Sequence, residues 1–469
     1  MTNKKRLPTA LICLLLLISV VLISCAGGTD SGSSTTAKTT AESTPEATTD
    51  ATTEATTVAT TEATTEATTE ATTVATGSDG FPLIPTDLTA EVIGKGNQIL
   101  SRLVDDPITV EIHDGVTIDL KYQGWPTICT SADGSVIYAV SSVRIAHVDI
   151  FGAIGFTKST DGGKTWEPLR IIKDTPLDDR DSGIVDLGNG HLMVTWFTHD
   201  AVKYLEGGMY AGYRGRLSQE QKDAVDARLG ALSGEDALGG SYVMHSLDYG
   251  QTWGEPIAIP VTLPHGATLM QDGKTLICIG LKWGTAGASL EGGKRMHIFK
   301  SEDGGYTWTS HGTLSTSGFS SPSEAHIIQL RDGSFLAAFR YIVDAGNSLA
   351  IGTAVATSRD GTHWQAPVSV GASDHNGAPP HLLELSNGIV VLTYGHRLFP
   401  TGIRARLSYD GGHTWEDEIE LSRSQTWEQT DLGYPSTVEL ADGTLLTAYY
   451  QPYGKDGHCS FLFVKWQLV

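Results

Sequence analysis

Two oppositely charged side chains flank one predicted hairpin. Glu324 begins an apolar stretch, a turn is expected at Asp332-Gly333, and the chain returns through apolar residues to Arg340. Because a hairpin places its two strands side by side, Glu324 and Arg340 should lie near each other. A carboxylate can accept a proton in a reaction, and a guanidinium can bind an anion. The alternative is a simple salt bridge at the end of a strand.

Other ionisable side chains lie at the ends of other predicted strands. Asp149 follows Arg144 by five residues, and Asp181 directly follows Arg180. Further candidates near strand ends are Arg397, Arg404, Arg406 and Tyr434. Arginines bind carboxylates through paired hydrogen bonds, so a converging group could hold an anionic substrate.

The charge of the chain excludes some partners. Of 469 residues, the first 25 carry three positive charges, and residues 26–80 carry nine acids and one lysine. The formal net charge of −22 therefore leaves −17 on residues 81–469. Phosphate contacts need clustered Lys and Arg, so no nucleic-acid partner is predicted. No phosphate loop or metal-ligand spacing is present, so neither cofactor nor metal is expected. His375 and His381 are expected to be loop histidines.

A repeated octapeptide indicates the elements that position these residues. One copy reads Ser159-Thr-Asp-Gly-Gly-Lys-Thr-Trp166. The other copies begin at Ser246, Ser301, Ser358 and Ser408. In each copy the Asp can accept backbone N–H groups, Gly supplies unusual backbone angles, and Trp packs the turn. A second signal, apolar alternation broken by Asp-Gly or Asn-Gly, predicts six hairpins. They lie at residues 133, 189, 272, 332, 387 and 442.

Six similar units between Trp125 and Trp466 predict an all-β, six-bladed β-propeller within residues 81–469. The sixth unit lacks the octapeptide, and residues 108–120 are expected to supply the strand that closes the ring. A helical insertion is predicted at about 201–240, with Ser218 as the N-cap. It could be a lid over the site or a surface decoration.

The N-terminus has the features of a targeting segment. Lys4-Lys5-Arg6 precedes an apolar run, and Cys25 lies among small residues, which resembles a bacterial lipoprotein signal lipidated at Cys25. An ordinary signal peptide is the alternative. Residues 26–80 are Thr/Ala/Glu-rich and are predicted to be a disordered linker. We therefore expect a domain held at the cell surface, with the lipid anchor as its only membrane contact. Cys129, Cys278 and Cys459 are expected to be buried free thiols.

The octapeptide resembles the Asp box of neuraminidases and related propellers, so the chain resembles the sialidase superfamily over residues 108–469. The resemblance implies a glycoside hydrolase that releases terminal sialic acid or a related acidic sugar from glycans. In that chemistry a tyrosine attacks the anomeric carbon, because the sugar carboxylate would repel a carboxylate nucleophile. A glutamate takes the tyrosine proton, and an aspartate is the acid/base at the leaving oxygen.

The resemblance assigns these roles to residues of this chain. Tyr434, in Gly433-Tyr434-Pro435, corresponds to the nucleophile, although Pro435 stands where the family usually has Ser. Glu324 corresponds to its base. Asp149 corresponds to the acid/base, and Asp181 is the rival for that role.

The family also binds the sugar carboxylate with three arginines. Arg340 corresponds to one, and a second is expected before the last Asp box, with Arg404 preferred over Arg397. The third stands in an Arg-Ile-Pro motif at the start of the first blade. Here Gly124-Trp125-Pro126 occupies that position, so the arginine is missing.

This departure leaves three hypotheses. Arg144, Arg180 or another residue replaces the missing arginine, and the protein is a sialidase. Alternatively, Trp125 stacks on a sugar face, and the substrate is a uronate or another glycoside. The third hypothesis is a propeller that binds glycans without catalysis.

Overall fold

The computed structural model describes residues 88–469 except 148, 150, 200–213, 235–238, 283–294, 346–347, 372–378, 425–429 and 455. The predictions for the signal segment, Cys25, the linker and His375 lie outside the described residues. No helix in the described part of the chain is long and apolar enough to cross a membrane.

Six four-stranded antiparallel sheets form the blades of a β-propeller. The chain begins with β1 (Ala90–Ser101) and a hairpin of β2 (Ile108–His113) and β3 (Val116–Leu120). Blade 1 has β4 (Tyr122–Thr130), β5 (Ile137–Arg144), β6 (Gly152–Ser159) and β7 (Arg170–Lys173). Blade 2 has β8 (Asp179–Asp186), β9 (Leu192–Thr198), β10 (Ser241–Ser246) and β11 (Ile257–Ile259). Blade 3 has β12 (Thr268–Leu269), β13 (Leu276–Gly280), β14 (Arg295–Ser301) and β15 (Thr309–Ser315).

The remaining blades repeat this order. Blade 4 has β16 (Ser320–Gln329), β17 (Phe335–Ala345), β18 (Ser348–Ser358) and β19 (Val368–Ser369). Blade 5 has β20 (His381–Glu384), β21 (Val390–His396), β22 (Gly402–Ser408) and β23 (Ile419–Arg423). Blade 6 has β24 (Gly433–Glu439), β25 (Leu445–Pro452) and β26 (Cys459–Leu468), and β1 completes it. The predicted all-β, six-bladed propeller is confirmed.

The strand that closes the ring differs from the prediction. β1 pairs antiparallel with β26, with Ala90 opposite Leu468 and Val92 opposite Trp466. The prediction that residues 108–120 close the ring was wrong. That segment has its own turn, because Asp114 and Gly115 both adopt positive φ, and it therefore folds back on itself as the β2–β3 hairpin.

A helix, α1 (Gln219–Gly230), lies in the blade-2 insertion. The Ser218 hydroxyl accepts the Gln221 backbone N–H, and the Gln221 side chain accepts the Ser218 N–H, which is a capping box. The helix buries Val225 and Leu229 in an apolar cluster with residues of the β2–β3 hairpin. The described part of the insertion therefore packs on that hairpin.

The Asp-box turns have the local structure that the sequence predicts. Asp161 accepts the backbone N–H groups of Lys164 and Thr165 at 2.9 Å and the Thr165 hydroxyl at 2.6 Å. Asp248, Asp303 and Asp410 likewise accept the backbone N–H and the hydroxyl of the Thr four residues later. In the shorter fourth turn, Asp360 accepts the backbone N–H groups of Thr362 and His363, so these aspartates have a structural role. The three cysteines of residues 88–469 are free, but only Cys278 and Cys459 are buried, whereas Cys129 is half-buried.

Candidate functional site

Four blades carry the same irregularity near the start of their first strand. In β4, β8, β16 and β24, three residue steps face two steps on the neighbouring strand, which makes a one-residue bulge. β16 has two such bulges, and the first holds Ser321 (φ 47°). In the bulge that all four strands share, one non-glycine residue has left-handed backbone: Trp125 (φ 51°), Asp181 (φ 52°), Glu324 (φ 51°) and Tyr434 (φ 49°). Bulges redirect side chains, and these four belong to one polar cluster, as the following contacts show.

Tyr434 and Glu324 form the centre of this cluster. The Tyr434 hydroxyl donates to Glu324 Oε1 at 2.7 Å, and Arg340 Nη1 contacts Glu324 Oε2 at 2.7 Å. The register explains the second contact, because Ser323 lies opposite Arg340. Burial, followed by the negative charge of Glu324, raises the pKa of Tyr434 well above its ordinary value. The phenol is therefore neutral at rest, and Glu324 is placed to receive its proton.

Asp181 is the second carboxyl group of the cluster. It is buried, and its Oδ1 has no hydrogen-bond partner among the described residues, with Arg180 Nε at 3.8 Å. Burial raises the pKa of Asp181 to about 7; the positive charge of Arg180 opposes this rise, and the negative charge of Glu324 adds to it. A substantial fraction of Asp181 is thus protonated at neutral pH and can donate a hydrogen bond or a proton.

Trp125 is enclosed by protein. It is 0% exposed, and the guanidinium carbons of Arg144 and Arg180 lie 4.6 Å and 4.4 Å from its ring centroid. Its indole also meets the Tyr434 ring edge-on at 6.2 Å. The expectation that Trp125 stacks on a sugar does not fit this burial, because no face of its indole is left open.

The charge of Arg144 is already matched within the protein. Both residues of the pair are completely buried, and Arg144 contacts the two carboxylate oxygens of Asp178 at 2.7 Å and 2.9 Å. Arg180 lies 3.6 Å from the same carboxylate. Although burial opposes it, the charge of these arginines lowers the pKa of Asp178. Asp178 was not among the residues predicted from the sequence, and its pairing with Arg144 removes Arg144 as a substitute for the missing arginine.

Arg404, the arginine preferred in the sequence analysis, does not join the cluster. It is buried, and it binds Glu418 Oε1 at 3.2 Å and Glu420 Oε2 at 3.0 Å. These glutamates lie just before and on β23, the outer strand next to β22, so the Arg404 side chain is held toward the outside of the blade. Its assignment as a carboxylate clamp is therefore not supported by its position.

Arg397 lies in the cluster instead. Its Nη2 contacts the Tyr450 hydroxyl at 3.4 Å, and its Nε donates to the Leu432 carbonyl at 2.9 Å. Burial opposes a rise in the pKa of Arg397, but the charges of Tyr450, Tyr434 and Glu324 raise it. The Tyr450 ring lies 5.9 Å from the Tyr434 ring, so Arg397 contacts one neighbour of Tyr434 and Arg340 contacts another, Glu324.

Asp149 lies in the loop between β5 and β6 and is buried. Its neighbours 148 and 150 are outside the described residues. The role of Asp149 as acid/base stays a prediction.

Sequence reasoning missed a histidine next to Trp125 and the carboxylate that it contacts. His147 Nδ1 lies 2.8 Å from Asp431 Oδ1, and the Tyr122 hydroxyl donates to Asp431 Oδ2 at 2.9 Å. Burial opposes ionisation of Asp431, but His147 holds its pKa at about 2. The only available signal was their position, because Asp431 precedes Tyr434 by three residues and His147 lies between Arg144 and Asp149.

His381 is not in a loop, contrary to the prediction, but begins β20 and is buried. It stacks on His326 with ring centroids 4.5 Å apart, and His265 lies 5.5 Å from it. Burial lowers the pKa of His326 to about 4, so it is neutral. Over the described part of the chain, no group of three or more His, Cys, Asp or Glu residues could hold a metal ion.

Comparisons with known proteins agree with this fold. Residues 230–456 match the family of BNR repeat-like domains. No protein of curated function matches the sequence significantly. A protein of unknown function from Dyadobacter fermentans is 21% identical, with 81% of this chain and 99% of that chain covered and a TM-score of 0.59. The NanB sialidase of Streptococcus pneumoniae is 14% identical over 77% of this chain and 70% of its own, with a TM-score of 0.53.

A third similar structure is the Hadza microbial sialidase Hz136, which is 20% identical. The match covers 74% of this chain and 65% of that one, with a TM-score of 0.50. At these identities the similarity demonstrates a shared fold only.

Proposed function

We propose that this six-bladed β-propeller, whose residues 230–456 match BNR repeat-like domains, is an exo-acting glycoside hydrolase. In this proposal it releases terminal sialic acid or a related acidic sugar from glycans with retention of configuration. The observation that carries the proposal is the 2.7 Å hydrogen bond from the Tyr434 hydroxyl to Glu324. A neutral phenol with an adjacent base is the nucleophile that a sugar with an anomeric carboxylate requires, because an anionic nucleophile would be repelled.

The first step forms a covalent intermediate. The Tyr434 oxygen bonds to the anomeric carbon, its proton passes to Glu324, and the leaving oxygen takes a proton from an acid, the role predicted for Asp149. Arg340 Nη1 contacts the other Glu324 oxygen at 2.7 Å and holds that carboxylate in position for the attack. In the second step, water replaces Tyr434 at the anomeric carbon.

Two arginines that contact neighbours of Tyr434 are the proposed carboxylate ligands, Arg340 and Arg397. Arg144 is matched by Asp178, and Arg180 lies near both Asp178 and Asp181. The substrate carboxylate would therefore have two arginine partners instead of the family's three. A hydrogen bond to a charged group contributes about 1.5–3 kcal/mol. We therefore expect weak binding of simple sialosides unless the aglycone contributes.

A second candidate function keeps the hydrolase and changes the sugar. The observation that favours it is Trp125, which fills the start of the first blade and brings no positive charge. A uronide or a neutral glycoside would not require a third arginine. A non-catalytic glycan-binding propeller is the remaining alternative, and it would not need the bond between Tyr434 and Glu324.

Surface anchoring is part of the proposal. Attachment of a lipid to Cys25 would hold the hydrolase outside the cytoplasm, where its glycan substrates are found. Metabolic labelling with a fatty-acid analogue tests this, and a Cys25→Ser variant should lose the label. Labelling that persists in the variant would contradict the assignment.

Turnover of a fluorogenic α-sialoside tests the function. We expect activity in the wild-type protein and its loss in Tyr434→Phe and in Glu324→Ala. Tyr449→Phe is a matched control, because Tyr449 is also buried and hydrogen bonded, to Ser422 at 3.2 Å, but does not contact the central pair. Unchanged turnover in Tyr434→Phe would refute the nucleophile assignment. If the folded wild-type protein gives no turnover, the test moves to a panel of uronides and neutral glycosides.

A further inference from the structure

The dyad of His147 and Asp431 lies beside the central pair and has no part in the function as proposed so far. His147 is on the β5–β6 loop, and Asp431 is three residues before Tyr434. The two side chains are 30% and 35% exposed, and the distance from Nδ1 to Oδ1 is 2.8 Å. The dyad is therefore open to solvent on one side while its members are held together.

The hydrogen bonds fix the orientation of the imidazole. Asp431 has a pKa of about 2, so its carboxylate is ionised and can only accept hydrogen bonds. His147 Nδ1 must then carry a hydrogen and donate to it, while the Tyr122 hydroxyl donates to the other oxygen. Among the described residues none is hydrogen bonded to Nε2, so Nε2 remains able to bind or release a proton. An aspartate that fixes a histidine tautomer in this way is a recognised acid–base arrangement.

The dyad also has a defined position relative to the nucleophile. The His147 ring contacts the Trp125 indole edge-on at 5.3 Å and 71°, and Trp125 contacts the Tyr434 ring at 6.2 Å. The Tyr122 ring contacts His147 from another side at 6.4 Å and 86°. Two aromatic rings therefore hold the imidazole in place, one residue away from Tyr434.

We propose that His147, oriented by Asp431, is the proton donor and acceptor for the leaving group. This role rests on the proposed function. As the bond from the anomeric carbon to the aglycone oxygen breaks, that oxygen takes the proton from Nε2, and Tyr434 bonds to the carbon. In the second half, Nε2 takes a proton from water and the water oxygen bonds to the carbon as the bond from the carbon to the Tyr434 oxygen breaks. The Tyr434 oxygen then regains its proton from Glu324.

Asp431 is a positioning residue in this scheme. It has no contact with the leaving group, and it acts by holding Nδ1. The proposal assigns to His147 the role that the sequence analysis gives to Asp149, two residues further along the same loop. The two assignments predict different variants to lose acid catalysis, so one experiment separates them.

The test uses two substrates with the same sugar, an aryl α-sialoside with a good leaving group and a sialyl-lactose with a poor one. Acid–base catalysis contributes about 10²–10⁴-fold. We expect His147→Gln to lower kcat/KM for sialyl-lactose by about 10²–10⁴-fold. The same variant should lower kcat/KM for the aryl substrate far less, because a good leaving group does not need the acid. Added azide, which attacks the covalent intermediate without needing a base, should speed turnover of the aryl substrate in this variant and yield the glycosyl azide. Asp431→Asn should show the same selectivity with a smaller loss.

His113→Gln is the matched control. His113 is also paired with an aspartate, with Nε2 3.3 Å from Asp114 Oδ2, and is 40% exposed, but it lies on the β2–β3 hairpin. It should show no selectivity between the substrates, and thermal unfolding should confirm that the variants are folded. An equal loss on both substrates in His147→Gln without azide rescue would overturn the proposal.

Selective loss in Asp149→Asn together with unchanged selectivity in His147→Gln would also overturn it and would leave the proposed function intact. Retained activity in Tyr434→Phe would instead refute the nucleophile assignment, and a folded wild-type protein that cleaves neither substrate would refute the proposed release of sialic acid. In both cases the role of His147 would be refuted as well. A wrong role for His147 is therefore distinguishable from a wrong proposed function.

Discussion

Replacing Asp178 by Asn should destabilise the protein strongly, because it leaves Arg144 charged in a site without solvent. Both side chains of the pair are 0% exposed. Removing one partner of a buried ion pair costs about 3–5 kcal/mol, since the remaining charge is neither hydrated nor paired. Arg144 would keep its hydrogen bond from Nε to the Ala146 carbonyl and its contact with the Trp125 ring. A desolvated cation–π contact contributes about 2 kcal/mol, so we expect the lower end, about 3 kcal/mol.

Denaturant unfolding at pH 7 measures this cost, and a second variant tests its cause. In Asp178→Asn combined with Arg144→Met, the fully buried charge of Arg144 is removed as well, so the double variant should regain much of the lost stability. A double-mutant cycle with Arg144→Met alone then gives the coupling between the two side chains. The reasoning is refuted if Asp178→Asn costs less than about 1 kcal/mol, the range of an exposed ion pair, or if the double variant is no more stable than the single one.

Three further predictions concern stability. The pKa of Asp181 is raised to about 7, so its contribution to stability is present below the ordinary value of 3.8 and is lost as pH rises through 7. The stability of Asp181→Asn relative to the wild-type protein should therefore increase from pH 5 to pH 9, as measured by denaturant unfolding. Asp248 and Asp303 have pKa values lowered to about 2, so their contribution to stability is present above pH 3.8 and is lost as pH falls through 2. Asp303→Asn should therefore reduce the loss of stability between pH 3.8 and pH 2 in acid unfolding. Gly183→Ala should lower the melting temperature, because the added Cβ would lie 2.2 Å from the backbone of Gly266. Gly230→Ala, where nothing lies within 4 Å of the added Cβ, should lack that clash.

The number of blades could be predicted because its signals are local. Each Asp box and each Asp-Gly or Asn-Gly hairpin is specified by a few consecutive residues. The closing strand could not be predicted in the same way. Ala90 pairs with Leu468, and such pairing between distant segments leaves no local trace in the sequence. Residues 108–120 alternate well enough to be a blade strand, but their own Asp114-Gly115 turn makes a hairpin instead.

The central pair of the site could be predicted, but its charge balance could not. Glu324 and Tyr434 stand at the start of recognisable hairpins. Asp178 and Asp431 acquire their importance from partners in other blades or loops, Arg144 and His147. Arg404 was expected before the last Asp box, but the glutamates that bind it, Glu418 and Glu420, lie beyond that box, on the outer side of the blade. Ion pairing between separate elements depends on tertiary structure, which spacing along the chain does not reveal.

The repeated bulge gives a physical reason why these four residues belong together. A left-handed backbone costs a non-glycine residue roughly 1–2 kcal/mol, so four such residues represent a large part of the 5–15 kcal/mol by which domains are ordinarily stable. Glycine at each bulge would remove that cost, yet the chain has Trp125, Asp181, Glu324 and Tyr434 there. Backbone strain of this kind is found where function requires a particular side chain. Three of the four are ionisable groups that face one another. The fourth, Trp125, keeps the same strained backbone, supports Arg180 and contacts both Tyr434 and His147, so blade 1 retains the shared bulge and uses it for packing.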